Sequence, residues 1–227
     1  MIEDLSRLRE SIDVLDYEIL KALARRMKLS DQVIAAKNGV AAFRPGREAA
    51  LVRQLVARGK ADGLDIGPEV ILCVWRQIMA ASLSRQNGEL VCGVHHDAMP
   101  AAVWHMGSAL SAFVDNDIAR LIESLAVGQC RYVLVPARDD NNHVLLSCLD
   151  QHHHLKIIAR TPLYSMRTVY PAFIIADYLR DSSGDDISLY AVRVGQGFDL
   201  VGVAGHHEFV TPSSVPDGAR LIGAYAR

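Results

Sequence analysis

The chain has 227 residues, half of them hydrophobic and 22% charged, with a formal net charge of −2. That length suffices for one large or two small domains, each with its own core, and the balanced charge offers no cationic footprint for nucleic acid or an anionic membrane. No apolar run approaches the roughly 20 residues that span a bilayer, and the start MIEDLSRLRE does not resemble a signal peptide. Cys73, Cys92, Cys130 and Cys148 are scattered without CxxC pairing, which favours reduced thiols and a cytoplasmic setting over a disulfide framework.

From Leu5 the apolar residues Leu8, Ile12, Leu15, Ile19, Leu23, Met27 and Val33 predict one long amphipathic helix, uninterrupted by Pro or Gly before Gly39. About 35 residues at 1.5 Å each make about 50 Å, longer than a small domain is wide, so the helix needs a partner to cover its stripe. Arg44-Pro45-Gly46-Arg47-Glu48 reads as a second helix start with Pro in its first turn, ending over 60–63. Gly67-Pro68 opens a third, which carries Val70, Ile71, Val74, Trp75, Ile78, Met79 and Leu83 and closes at Asn87-Gly88. Three helices of such unequal length cannot close a bundle alone. The packing therefore predicts a homodimer in which two long helices run across the interface.

After Gly88 the texture changes. Residues 89–94 and 132–136 read as buried strands with an amphipathic helix over 116–127 between them, a βαβ-like unit. Further strands are expected over 155–159, 171–176 and 187–192, with edge strands over 200–203 and 220–225. The fold class is therefore multidomain, α plus α/β, with a helical domain over 1–88 and an α/β domain over 89–227. Residues 181–186 are a turn inside the second. His95-His96, His152-His153-His154 and His206-His207 are adjacent repeats whose side chains diverge, with no Cys or carboxylate at ligand spacing, so no metal site is expected. Trp75 and Trp104 read as core or interface aromatics.

Seven polar residues punctuate the helices where burial is otherwise the pattern: Arg9, Arg26, Lys37, Arg47, Glu48, Ser82 and Gln86. At about 100° per residue, Arg26 and Lys37 return to within about 20° of each other, whereas Arg9 lies about 100° from Arg26. In a dimer of antiparallel long helices, Arg9 could reach the partner's pocket. Ser82 and Gln86 are i and i+4 on the third helix. Arg47 and Glu48 sit in a first turn, where free N–H groups and the helix dipole favour anions. The set describes a cationic pocket with one carboxylate and one amide, suited to a small dianion and lacking equipment for hydride or nucleophile chemistry.

The segments LRESIDVLDYEIL, LARRMKLSDQVIAAK, RPGREAALVRQL and WRQIMAASLSRQ, in that order, resemble the all-helical (AroQ) class of chorismate mutases over nearly all of residues 1–87. The resemblance implies an intertwined dimer of three-helix chains and rearrangement of chorismate to prephenate, a pericyclic reaction that needs no metal or cofactor. It casts Arg9 from the partner chain, Arg26, Arg47 and Ser82 as the clamp on the two carboxylates. Lys37 and Gln86 become donors to the ether oxygen, and Glu48 the acceptor from the ring hydroxyl. One position departs: where many members have Asp before the P-x-R-E block, this chain has Arg44, which cannot cap the second helix and brings positive charge to the pocket mouth.

The stretches LVCGV, IARLIESLAVGQCRYVLVPARDD and LKIIARTPLY resemble one lobe of a prephenate dehydratase. The Thr-Arg-Phe catalytic motif of that family is absent, and neither Arg160-Thr161-Pro162 nor Met166-Arg167-Thr168 replaces it. The second domain is therefore expected to have no dehydratase activity, and instead to bind an effector, stabilise the dimer or contact a partner enzyme. Two rivals to the mutase remain at this point: an isochorismate pyruvate lyase on the same scaffold, and a non-catalytic metabolite-sensing dimer.

Overall fold

The computed structural model describes residues 5–36, 43–87, 91–107, 110–164, 169–178, 180–208 and 212–227. The chain divides into two compact units, Met1–Ala42 and Phe43–Arg227. The first carries α1 (Leu5–Ala36), a single uninterrupted helix as the apolar spacing predicts. Leu8, Ile12, Leu15, Ile19 and Val33 of its apolar stripe are 41–57% accessible, while Leu23 and Met27 are half-buried.

The second unit begins with α2 (Pro45–Ala61) and α3 (Pro68–Asn87), both opened by proline as expected. Then follow β1 (Val91–His95), α4 (Met99–Met106), β2 (Ser111–Asp115), α5 (Ile118–Ala126), β3 (Tyr132–Pro136), α6 (Asp139–Gln151), β4 (Lys156–Thr161) and β5 (Ala172–Ala176). Strands β6 (Asp186–Val194), β7 (Gly197–Ala204) and β8 (Arg220–Ala226) complete it. The strands form one mixed sheet in the order β2-β1-β3-β5-β4-β8-β6-β7. β1 runs parallel to both β2 and β3, so the predicted βαβ unit exists but contains an additional helix and strand, α4 and β2.

β7 is an edge strand, as expected, but β8 is not. It lies between β4, to which it is parallel, and β6, to which it is antiparallel. The physical reason is Gly223, whose partner across the sheet is Ile157. A Cβ at Gly223 would lie 2.1 Å from the Ile157 carbonyl oxygen, so only glycine lets the two backbones come this close.

Successive strand residues face opposite sides of the sheet. Val133, Val135, Phe173, Ile175 and Ile157 join Leu121, Ile122, Leu145 and Leu149 of α5 and α6 in the main core. The alternating residues Tyr132, Leu134 and Ile174 are also buried, so the other face is covered too. Phe43 meets Tyr132 edge-to-face there, with ring centroids 5.3 Å apart. A smaller core of Val52, Leu72 and Met79 joins α2 to α3, with Trp75, Trp104 and Leu163 packed against it. The helices α2 and α3 thus belong to the same compact unit as the sheet.

Candidate functional site

Arg9 is exposed and Arg26 half-buried on α1. Arg47, Glu48 and Ser82 lie in the second unit. Lys37 falls outside the described residues, as do 166–168, and Gln86 is placed in α3 only by its backbone. Arg47 is exposed in the first turn of α2, while Glu48 beside it turns inward. Ser82 is buried, and its Oγ donates to the Ile78 carbonyl oxygen one turn back at 3.0 Å.

Glu48 has a charged partner within the chain. Arg76, one helix over on α3, donates from Nη1 to Glu48 Oε2 at 2.6 Å. The Arg76 side chain is 4% exposed and that of Glu48 17%, so the pair is largely removed from water. Charge-assisted pairs of this geometry are among the stronger hydrogen bonds in proteins. The same Arg76 Nη1 lies 3.5 Å from Nε2 of His105 on α4, and His105 Nδ1 lies 2.8 Å from Thr161 Oγ1 at the end of β4.

Those contacts fix the histidine's state. Burial, with the Arg76 charge adding to it, holds the His105 pKa well below 6.5, so the ring is neutral. Arginine can only donate, so Nε2 accepts from Arg76 and Nδ1–H donates to Thr161. Phe43 caps the ring edge-to-face at 5.4 Å. Glu48, Arg76, His105 and Thr161 therefore form one chain of hydrogen bonds from α2 through α3 and α4 to the sheet.

Arg76 and His105 carried no site reading in the sequence. A signal for Arg76 was present: Leu72, Arg76, Met79, Ala80 and Leu83 share the buried stripe of α3, and a lone arginine on such a stripe demands a buried partner. For His105 no local signal exists, because its partners lie on α3 and β4.

Arg44, the departure noted above, makes no side-chain cap on α2. Its Nη2 donates instead to Asp181 Oδ2 at 2.8 Å, so the positive charge meets a carboxylate from the turn after β5. Gly46 belongs to the same contact. A Cβ there would stand 2.1 Å from the Asp181 carbonyl oxygen, so a side chain at this position would push α2 away. The histidine repeats find separate partners: His152 pairs with Glu123 at 3.2 Å, and His206 Nε2 donates to the Arg180 carbonyl oxygen at 2.9 Å. Among the described residues no three His, Cys, Asp or Glu side chains converge as metal ligands, and no helix is long and apolar enough to cross a membrane.

Comparison with known proteins adds the following. Residues 8–87 match the family model for chorismate mutase type II. A T-protein of Enterobacter agglomerans is 32% identical over 89 residues, 38% of this chain and 23% of that protein, so the chain spans about a quarter of that relative's length. Two solved structures are similar at 11% identity. One is described as GqqA, a novel type of quorum quenching acylases (TM-score 0.46; 62% of this chain, 96% of that one). The other is a prephenate dehydratase from Streptococcus mutans (TM-score 0.40; 60% of this chain, 98% of that one).

Proposed function

We propose that the chain is a chorismate mutase that rearranges chorismate to prephenate, acting in the cytoplasm as a homodimer. The carrying observation is that the family match over 8–87 contains all seven polar residues, Arg9, Arg26, Lys37, Arg47, Glu48, Ser82 and Gln86. Arg9 of the partner chain, Arg26 and Arg47 hold the two carboxylates, with Ser82, and so fix the flexible enolpyruvyl arm over the ring. Orientation of this kind replaces the entropy that the uncatalysed reaction must lose. Lys37 and Gln86 donate to the ether oxygen, where negative charge grows as the C–O bond breaks, and preorganised donors at a developing charge are usually the largest catalytic term.

Glu48 receives the ring hydroxyl. A carboxylate offers about four acceptor positions, and Arg76 takes one of them, so capacity remains for the substrate. The exposed apolar residues of α1 support the dimer, since a stripe of that length needs a second surface. For the α/β part we propose no dehydratase chemistry. Thr161 is fully buried and committed to His105, which leaves it no role toward a substrate.

The test is prephenate formation from chorismate by the full chain, with isochorismate run in parallel. Lys37→Ala should lower kcat by about 10²–10³-fold, the usual cost of one preorganised donor. Absence of prephenate from the intact protein would overturn the reading, and pyruvate release from isochorismate alone would replace it with the lyase.

A further inference from the structure

Arg53, two turns along α2 from Gly46, reaches off its own helix to the turn between β5 and β6. Its Nη1 donates to the Ser183 carbonyl oxygen at 3.2 Å and to Ser183 Oγ at 3.1 Å. Its Nη2 donates to the backbone oxygens of Asp185 at 2.9 Å and Arg227 at 2.6 Å. The same turn supplies Asp181, whose carboxylate holds Arg44 and whose carbonyl oxygen lies against Gly46. At 100° per residue Gly46 and Arg53 share a face of α2, about 20° apart, whereas Arg47 and Glu48 lie about 100° and 160° from Gly46. The turn therefore holds α2 from behind and leaves the side with Arg47 and Glu48 to the proposed pocket.

The turn is itself held from inside. Arg180 and Asp186, 1% and 4% exposed, are ion-paired beneath it. Asp186 also accepts from Ser182 Oγ at 2.8 Å, from the Ser183 backbone N–H at 2.9 Å and from Ser183 Oγ. Gly184, at φ +87°, supplies the left-handed residue that the reversal requires. The Arg44–Asp181 pair alone would fix little, since both side chains are more than a quarter exposed and such pairs are worth little. The Arg53 fork is different, because a planar guanidinium with several acceptors sets direction as well as distance.

We infer that Arg53 and Asp181 are positioning residues for the mutase reaction. They touch no substrate; they seat α2 on the turn so that Arg47 meets the substrate's carboxylate and Glu48 its hydroxyl. The inference rests on the mutase reading. A misplacement of about 1 Å at such contacts can cost about 10²-fold. It also gives Arg44 a use: the helix forgoes a side-chain cap at this position, and the arginine is spent on docking to the turn.

The experiment measures kcat and KM for chorismate with the full chain and with Arg53→Gln, Arg53→Lys and Asp181→Asn, each checked for folding by thermal melting. Arg58→Gln is the control, since the ion-pair partner of Arg58 is Asp62 at the end of the same helix. Arg53→Gln should raise KM about tenfold, the loss of one charge-assisted contact to the substrate. Its kcat should stay within about threefold, because Lys37 and Gln86, the donors to the ether oxygen, lie outside α2. Arg53→Lys should recover part of the loss, Asp181→Asn should raise KM about threefold, and Arg58→Gln should match the unaltered chain. A merely structural role would remove folded enzyme, lowering kcat at unchanged KM. If Arg53→Gln does not fold, Asp181→Asn, which is neutral and of the same size, decides. Unchanged KM in the Arg53→Gln and Asp181→Asn variants, a loss confined to kcat, or an equal rise in KM with Arg58→Gln would overturn the inference and leave the mutase reading standing. No prephenate from the unaltered chain would overturn both.

Discussion

Replacing Arg76 by methionine isolates the pair on which the inner part of the second unit turns. Charges about 4 Å apart at an effective dielectric of about 20 attract by about 4 kcal/mol, and both side chains have given up most of their hydration, at 4% and 17% exposure. Removing one member of a buried pair typically costs 3–5 kcal/mol, because the survivor stays desolvated. Glu48 keeps some access to water, so we expect the lower end, about 3 kcal/mol. For a chain of this size, 1 kcal/mol corresponds to about 2–4 °C of Tm, so Arg76→Met should melt about 6–12 °C below the unaltered protein in calorimetry. Methionine fills a similar volume, which keeps the loss electrostatic rather than a packing defect. The double variant Arg76→Met/Glu48→Leu then separates two accounts. If the cost is the orphaned carboxylate, the double variant regains most of the loss. A single variant that melts within about 2 °C of the parent, or a double variant no more stable than the single, would refute the reasoning.

Three further outcomes follow from the same geometry. His105 is held neutral when folded but takes a proton near pH 6.5 when unfolded, so its contribution is complete above that pH and is lost as the pH falls below it. The slope from this one group is at most about 1.4 kcal/mol per pH unit, and His105→Gln should flatten urea-derived stability curves between pH 6.5 and 5 by one proton; an unchanged slope would show the ring to be charged. Gly46→Ala places a methyl group against the Asp181 carbonyl oxygen and should cost about 1–3 kcal/mol by chemical denaturation, whereas a neutral result would mean that α2 does not seat there. Mixing equal amounts of inactive Arg9→Ala and Lys37→Ala chains after unfolding should restore about a quarter of the mutase activity if Arg9 acts across the dimer, because half the dimers are mixed and each has one intact site; if Arg9 serves its own chain, nothing is restored.

The parts of the fold that the sequence announced are those in which each residue's neighbour in space is also near in sequence. α1, α2 and α3 were legible from three-and-four spacing, with proline opening two of them, because a helix face is a local property. β3 and β5 were legible as fully buried runs. α4 escaped because MPAAVWHM is apolar all round its short length and shows no face, and β2 because it is a short, half-exposed strand. α6 opens with Asp139-Asp140-Asn141-Asn142, which imitates a loop. The interior position of β8 could not be read from its residues, since it depends on which strands flank it, and only Gly223 bears the mark of that close approach.

The candidate site divides along the same line. The seven polar residues were visible because they interrupt a pattern, but what Glu48 touches was not, since Arg76 had been absorbed into an apolar stripe. That difference matters for how the molecule is put together. α2 is tied to the sheet at its first turn by Arg44–Asp181 and by the close seat of Gly46. It is tied a second time through Glu48, Arg76, His105 and Thr161. Both ties involve the short segment that also supplies Arg47 and Glu48 to the proposed mutase pocket. An α/β domain serving only as an appendage would not need to grip that segment at all. Its grip falls on the turn of helix from which Glu48 reaches Arg76, the same turn that the proposed pocket relies on to hold the substrate's carboxylate and hydroxyl.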